Sequence, residues 1–364
     1  MTTIHELPTP ALLLDIDVLD ANIARMAKRT ASLGVSLRPH IKTHKCIEVG
    51  ERQRKHGAKG IAVSTIPEAR AFAEHGFDDI TWAYPVQTGR LAEAREVADR
   101  IVFRLTVDTR DAVAALDRAG SPFRVWLKVD CGYHRAGVDP STPYAVEVAQ
   151  AIHESSSLEF DGLLSHAGHS YAGPSLTEAR AAAIEEREVM VAFAERLQSL
   201  GIGVPGVSVG STPGVVAVDH LDGVTEARPG NYVFHDHTQV QLGSCTPRDC
   251  AVTVLASVIS AQPGAKHCVT DAGALALSKD TGEGDASRPT MGEVFEDYEA
   301  GTLRQDVRLT SLSQEHGVTS GSLKVGSRLR ILPNHACLTV PCFDKYHVVQ
   351  GEAVVDEWTV RRER

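Results

Sequence analysis

Eight short runs of apolar and β-branched residues punctuate the first two thirds of the chain, at positions 35–41, 60–65, 80–86, 101–107, 123–130, 160–165, 207–210 and 224–228. Such runs, too short for buried helices, read as strands covered on both faces. Segments with helical signatures lie between the first seven. Pro67 to Glu74 places a proline in the first turn of an alanine-rich stretch, and 175–200 is the longest. Strand and helix therefore alternate, which predicts an α/β fold, and eight units across about 210 residues match a (β/α)8 barrel. An open doubly wound sheet shares this alternation, but no GxGxxG follows the first strand.

Ahead of the first barrel strand, Ala11 to Asp15 reads as one more strand, after Pro8 and Pro10. Leu19, Ile23, Met26, Ala27 and Leu33 then recur at helical spacing, and Gly34 stops the helix. After about Gly243 the texture changes: 252–259, 324–332 and 346–358 are strand-like, separated by Gly, Pro and Asp clusters, with few helical windows. The expected organisation is a leftover strand in 1–16 that joins a β domain, a barrel over 17–245, and a C-terminal β domain over 246–364. Residues 281–285 read as a loop.

With 364 residues, 43% hydrophobic and 23% charged, the chain has the make-up of a soluble globular protein. Its net charge of −10 argues against nucleic acid or an anionic membrane as partner. No stretch of 18 apolar residues and no secretory leader is present, so a cytoplasmic protein is expected. The seven cysteines are odd in number and without CxxC spacing, which suits buried thiols in a reducing compartment.

In a barrel the chemistry sits at the C-terminal ends of the strands, with a phosphate site often after strands seven and eight. Those two ends read Gly210-Ser211-Thr212-Pro213-Gly214 and Arg228-Pro229-Gly230-Asn231-Tyr232. Glycines let backbone N–H groups approach an anion, and hydroxyls add donors. The first strand ends in Arg38-Pro39-His40-Ile41-Lys42-Thr43-His44-Lys45, where strand alternation would turn Lys42 and His40 to one side. Strands five and six close with Asp130-Cys131-Gly132-Tyr133-His134-Arg135 and His166-Ala167-Gly168-His169-Ser170-Tyr171. Polar groups repeated on such a rim indicate a ligand pocket, in which Lys42 becomes an amine able to form a Schiff base with an aldehyde. In the β domain, His335 and Cys337 would face one side of a strand, and imidazole with thiolate suits zinc better than magnesium or calcium.

Taken together, RPHIKTHK, KVDCGYHRAGV, HAGHSY, GSTP, RPGNY and PNHAC resemble the D-serine dehydratase and D-threonine aldolase family, over nearly the whole chain. The resemblance implies an alanine racemase-like, pyridoxal 5′-phosphate-binding barrel with a C-terminal β domain, and a homodimer. It places the Schiff-base lysine at Lys42 rather than Lys45, and Arg135 near the cofactor's phenolic oxygen. Tyr171, Ser211, Thr212, Gly230, Asn231 and Tyr232 fall at cofactor-binding positions, and His335 and Cys337 at those of a zinc pair. Related aldolases resemble this pattern with an aspartate in place of Cys337 and manganese or a similar metal.

The implied activity is a zinc-dependent lyase that dehydrates a D-3-hydroxyamino acid, D-serine first, to a 2-oxo acid and ammonia. The alternative keeps the site and cleaves Cα–Cβ, as in an aldolase giving glycine and an aldehyde, with His166, His169 or His316 as the base. A racemase would need a second base, for which Tyr171 is a candidate, and a non-catalytic cofactor carrier would have no use for the β domain.

Overall fold

A computed structural model of the protein describes residues 2–173, 175–281 and 290–363. Of the loop expected at 281–285, all but Thr281 lies outside the described residues. Strand β1 (Ala11–Asp15) leads into helix α1 (Ile16–Ser32), whose first N–H groups bond the Asp15 carboxylate at 3.0 and 3.1 Å. An Asp at this position accepts from backbone donors that the helix itself leaves free.

Eight parallel strands follow: β2 (Ser36–Leu37), β3 (Ile61–Val63), β4 (Asp79–Pro85), β5 (Val102–Val107), β6 (Phe123–Lys128), β7 (Leu158–Leu164), β8 (Val207–Val209) and β9 (Glu226–Ala227). Their order is β2-β9-β8-β7-β6-β5-β4-β3. The ring closes between β2 and β3 through the His40–Ala62 bridge, where Ala62 N–H donates to Pro39 C=O at 2.8 Å. The outer helices are α2 (Ile47–Lys55), α3 (Ile66–Glu74), α4 (Leu91–Ala98), α5 (Arg110–Ala119), α6 (Pro143–Glu154), α7 (Leu176–Ser199) and the short α8 (Thr212–Ala217). The alternation legible in the sequence is thus a closed barrel. Its interior also carries ions: buried Arg38 bonds Glu226 at 2.8 Å and Asp79 at 2.5 Å, and Arg104 bridges Asp79 and Asp161.

After α9 (His237–Gln241) the chain builds a second sheet from β10 (Val252–Ser260), β11 (Val269–Thr270), β12 (Gly292–Asp297), β13 (Thr302–Leu312), β14 (Gly317–Thr319), β15 (Arg328–Leu332), β16 (Lys345–Gln350) and β17 (Ala353–Thr359). The order is β11-β14-β13-β12-β15-β10-β1-β16-β17, and a further β10–β11 pairing closes six of these strands into a ring. β1 lies inside this sheet, antiparallel to β10 and parallel to β16, and so ties the start of the chain to its end. The run expected at 346–358 is two strands, β16 and β17, reversed at Gly351, whose φ of +59° suits a residue without a side chain. Short helices α10 (Ala274–Leu277) and α11 (Ala336–Thr339) complete the domain.

Candidate active site

A cavity of about 390 Å³ opens at the C-terminal ends of the barrel strands, between the barrel and the β domain. Lys42 lines it, but not from a strand. Ile41–Thr43 is a single 3-10 turn, because Pro39 offers no N–H for a longer ladder and the His40 ring accepts the Lys42 N–H at 3.3 Å. The alternation argument for Lys42 therefore fails, while His40 and Lys42 do share the cavity. Lys45 is turned away and ion-pairs with buried Glu68, which also completes the capping box at the start of α3.

Across the cavity lie Gly210, Ser211, Gly230 and Asn231, with Tyr171 and Arg135 beside them. Gly210 has φ +126°, and a Cβ there would sit 3.0 Å from Arg228 N, so only glycine fits. A Cβ on Gly230 would lie 3.0 Å from His40 O and 3.1 Å from Thr43 Oγ1, which lets this turn press against the one bearing Lys42. Ser211 caps α8, accepting Gly214 N–H at 3.1 Å, and Tyr171 Oη accepts Thr212 N–H at 3.3 Å. Burial raises the Tyr171 pKa, so the phenol stays protonated. Among the described residues, the buried Asn231 Oδ1 has no hydrogen-bond partner. Thr212 and Tyr232 do not line the cavity. Thr212 Oγ1 accepts Tyr232 N–H at 3.1 Å, and Tyr232 Oη accepts from Gln53 at 3.0 Å inside the core.

His335 and Cys337 line the same cavity as Lys42, from the same chain. They converge at a helix start rather than on a strand. Pro333 ends β15, His335 is extended at φ −140°, and Cys337 lies in the first turn of α11. His335 Nδ1 is 2.6 Å from Asp280 Oδ2, and Cys337 Sγ is 3.1 Å from Thr43 Oγ1. Burial opposes protonation of His335, yet its bond to Cys337 and the charges of Cys337, Asp236 and Asp280 outweigh this and push its pKa up to about 10. Burial likewise opposes ionisation of Cys337, but His335, Lys42 and the Thr43 hydroxyl hold the thiol below its ordinary value. The two groups thus support one another: His335 favours ionisation of the Cys337 thiol, and Cys337 favours protonation of His335. Among the described residues no group of three or more His, Cys, Asp or Glu side chains is arranged to hold a metal.

Besides His166, one of the candidate bases, the cavity holds groups not singled out from the sequence. Lys128 ends β6, where burial first, then Arg228 and Arg135, lower its pKa to about 8. His166 is kept neutral by burial and by Lys42, and its Nδ1–H donates to Gly210 O at 3.2 Å, leaving Nε2 as an acceptor. Asp236 accepts from Asn231 Nδ2 at 2.5 Å, Ala336 N–H at 2.9 Å and Gln239 N–H at 3.1 Å, so one carboxylate ties the cradle to the His335 segment. His169 and His316 do not line the cavity: His169 is 4.0 Å from Glu185, and His316 is exposed between β13 and β14. No helix among the described residues is long and apolar enough to cross a membrane.

A lysine at the rim of a parallel barrel, a glycine and hydroxyl cradle facing it, and a β domain closing over both define a two-domain protein of the alanine racemase-like fold. The chain belongs to the alanine racemase-like family that includes the D-serine and D-threo-3-hydroxyaspartate dehydratases: residues 14–238 match the alanine racemase N-terminal domain and residues 251–349 a serine dehydratase domain. It is 38% identical to a D-threo-3-hydroxyaspartate dehydratase of Delftia sp. (strain HT23), over 98% of each chain. The solved structure of the Delftia enzyme matches with a TM-score of 0.93 at 37% identity, over 99% of each chain. Two further structures of that enzyme carry a cysteine-to-alanine change, in a metal-free form, and a histidine-to-alanine change two positions earlier. A D-serine dehydratase of Dictyostelium discoideum is 36% identical over 96% of this chain and 95% of its own. A 3-hydroxy-D-aspartate aldolase of Paracoccus denitrificans is 28% identical over 98% of this chain and 92% of its own.

Proposed function

We propose that the protein is a pyridoxal 5′-phosphate- and zinc-dependent dehydratase of D-3-hydroxyamino acids, with D-serine or D-threo-3-hydroxyaspartate as substrate. The observation that carries this reading is the meeting of Lys42 with the His335–Cys337 pair in one cavity. The residues suit the cofactor: Lys42 would hold its aldehyde carbon, Gly210, Ser211, Gly230 and Asn231 would surround its phosphate, and Arg135 and Tyr171 would flank it. The buried Asn231 Oδ1, without a partner among the described residues, is an acceptor that a bound ligand group could satisfy. Imidazole and thiolate likewise suit zinc, bound by two protein atoms with its other positions open to water or substrate. The histidine and cysteine altered in the Delftia enzyme have the spacing of His335 and Cys337, which supports the metal reading.

When bound, the cofactor supplies an electron sink for a carbanion at Cα and the metal a Lewis acid for the β-hydroxyl. The chain supplies the rest. Lys42, once free of the cofactor, is an amine placed to take the Cα proton. His40 and His166, held well below the ordinary imidazole range by burial and by the Lys42 charge, are neutral neighbours of that amine. His335 and Cys337 face the same cavity, so proton removal and loss of hydroxide can occur on one substrate molecule. The enamine released, 2-aminoacrylate where the substrate is D-serine, tautomerises to an imine that takes up water to give a 2-oxo acid and ammonia. The relatives named as aldolases are 27–28% identical, against 36–38% for the first two dehydratases, while one D-serine dehydratase is 26% identical.

Lys42→Ala tests the assignment. The variant should lose both the visible absorbance of the bound cofactor and ammonia release, and full turnover in it would refute the role. Cys337→Ala should keep the cofactor and lose elimination.

A further inference from the structure

The turn that bears Lys42 is held from outside the barrel. Three consecutive residues of it meet the β domain: Thr43 Oγ1 lies 3.1 Å from Cys337 Sγ, Tyr346 Oη donates to His44 O at 2.6 Å, and Arg361 N–H donates to Lys45 O at 2.7 Å. The last two are contacts to backbone and fix only the path of the chain. The first joins two side chains, and one of them is a donor atom of the metal pair.

Thr43 is fully buried, so its hydroxyl has no bulk water to bond. A sulfur that holds a metal is a thiolate and can only accept, so the hydroxyl is the donor in that state. A hydrogen bond to an ionised acceptor is stronger than a neutral one, and it fixes where the sulfur points. The partner donor is arranged in the same way, since Asp280 Oδ2 sits 2.6 Å from His335 Nδ1 and leaves Nε2 for a metal. Both members of the pair thus carry an orienting partner, one from the β domain and one from the Lys42 turn.

We propose that Thr43 is a positioning residue for the metal pair: its hydroxyl aims the Cys337 thiolate, and through it the turn bearing Lys42 sets the affinity for zinc. The proposal rests on the reading of His335 and Cys337 as the metal pair. Outer-shell bonds of this kind are worth about 10–100-fold in metal affinity.

The test is zinc affinity of the full-length, cofactor-loaded protein by chelator competition, in wild type, Thr43→Val, Thr43→Ser and Cys337→Ala. Valine keeps the volume and removes the donor, while serine keeps the donor. Thr43→Val should bind zinc at least about tenfold more weakly, with the cofactor absorbance unchanged, and Thr43→Ser should recover to within about threefold of wild type. Wild-type affinity in Thr43→Val, or a Thr43→Ser variant as weak as valine, would overturn the role of the hydroxyl while leaving the pair intact. If Cys337→Ala binds zinc as tightly as wild type, the metal pair itself is wrong and this proposal goes with it.

Discussion

Lys128→Met should make the cofactor-free protein more stable near neutral pH, and the gain should vanish in alkali. Lys128 is 5% exposed at the end of β6. Burial, then the charges of Arg228 and Arg135, hold its pKa at about 8 against an ordinary 10.5, and Cys131 and Glu186 only partly compensate. At about 1.4 kcal/mol for each tenfold change in proton affinity, keeping this amine charged in the folded state costs about 3 kcal/mol. The unfolded chain holds the proton up to about pH 10.5, whereas the folded chain releases it near 8. Between those values the unfolded state binds more protons, so the residue's contribution to stability rises with pH. Below pH 8 the penalty is complete, and above about 10.5 it is gone. Methionine, of similar length and uncharged, removes it at every pH. Urea unfolding of both proteins in phosphate-free buffer, at about pH 7 and again at about pH 10, should therefore give a difference of about 3 kcal/mol that shrinks to about 1 or less. A variant that is less stable at neutral pH, or equally stabilised at both, would refute the linkage argument.

Other perturbations probe the joints between the turns. Gly230→Ala places a Cβ 3.0 Å from His40 O and 3.1 Å from Thr43 Oγ1, so the two turns must part by a few tenths of an ångström. Affinity for pyridoxal 5′-phosphate, followed by absorbance titration, should fall about tenfold with the circular dichroism unchanged; unchanged affinity would mean that the two turns do not jointly shape the site. Tyr346→Phe removes the donor to His44 O, a carbonyl whose own ring packs against Phe72 and Phe234. The loss should be about 1–3 kcal/mol in urea unfolding, and a change below about 0.3 would show the bond to be incidental.

The barrel was legible because its strands are buried on both faces, and burial writes itself as runs such as 60–65, 101–107 and 123–130, within which β3, β5 and β6 lie. β12 and β13 were not. Glu293, Glu296 and Asp297 interrupt the first, while the second alternates residues such as Arg304, Asp306 and Arg308 with buried Val307 and Leu309, a half-solvated pattern that resembles loop composition. At the site, the motif points to Lys42 over Lys45, and in the structure Lys42 lines the cavity while Lys45 ion-pairs with Glu68. The turn that presents Lys42 could not be read, because it depends on a ring–backbone bond from His40. Tyr232 sits within a glycine-rich motif, yet the 3-10 turn Asn231–Val233 sends its side chain toward Gln53. Lys128 and Thr43 owe their interest to Arg228 and Cys337, about one hundred and 294 residues away, and no local pattern carries contacts of that range.

Product identity tests the central claim most directly. The protein, loaded with pyridoxal 5′-phosphate and zinc, should be incubated separately with D-serine, D-threonine and D-threo-3-hydroxyaspartate, and the products separated and quantified. The account predicts equimolar ammonia and 2-oxo acid from at least one of them, lost in Lys42→Ala and Cys337→Ala. Glycine with an aldehyde, or no turnover of any of the three by the loaded protein, would contradict it.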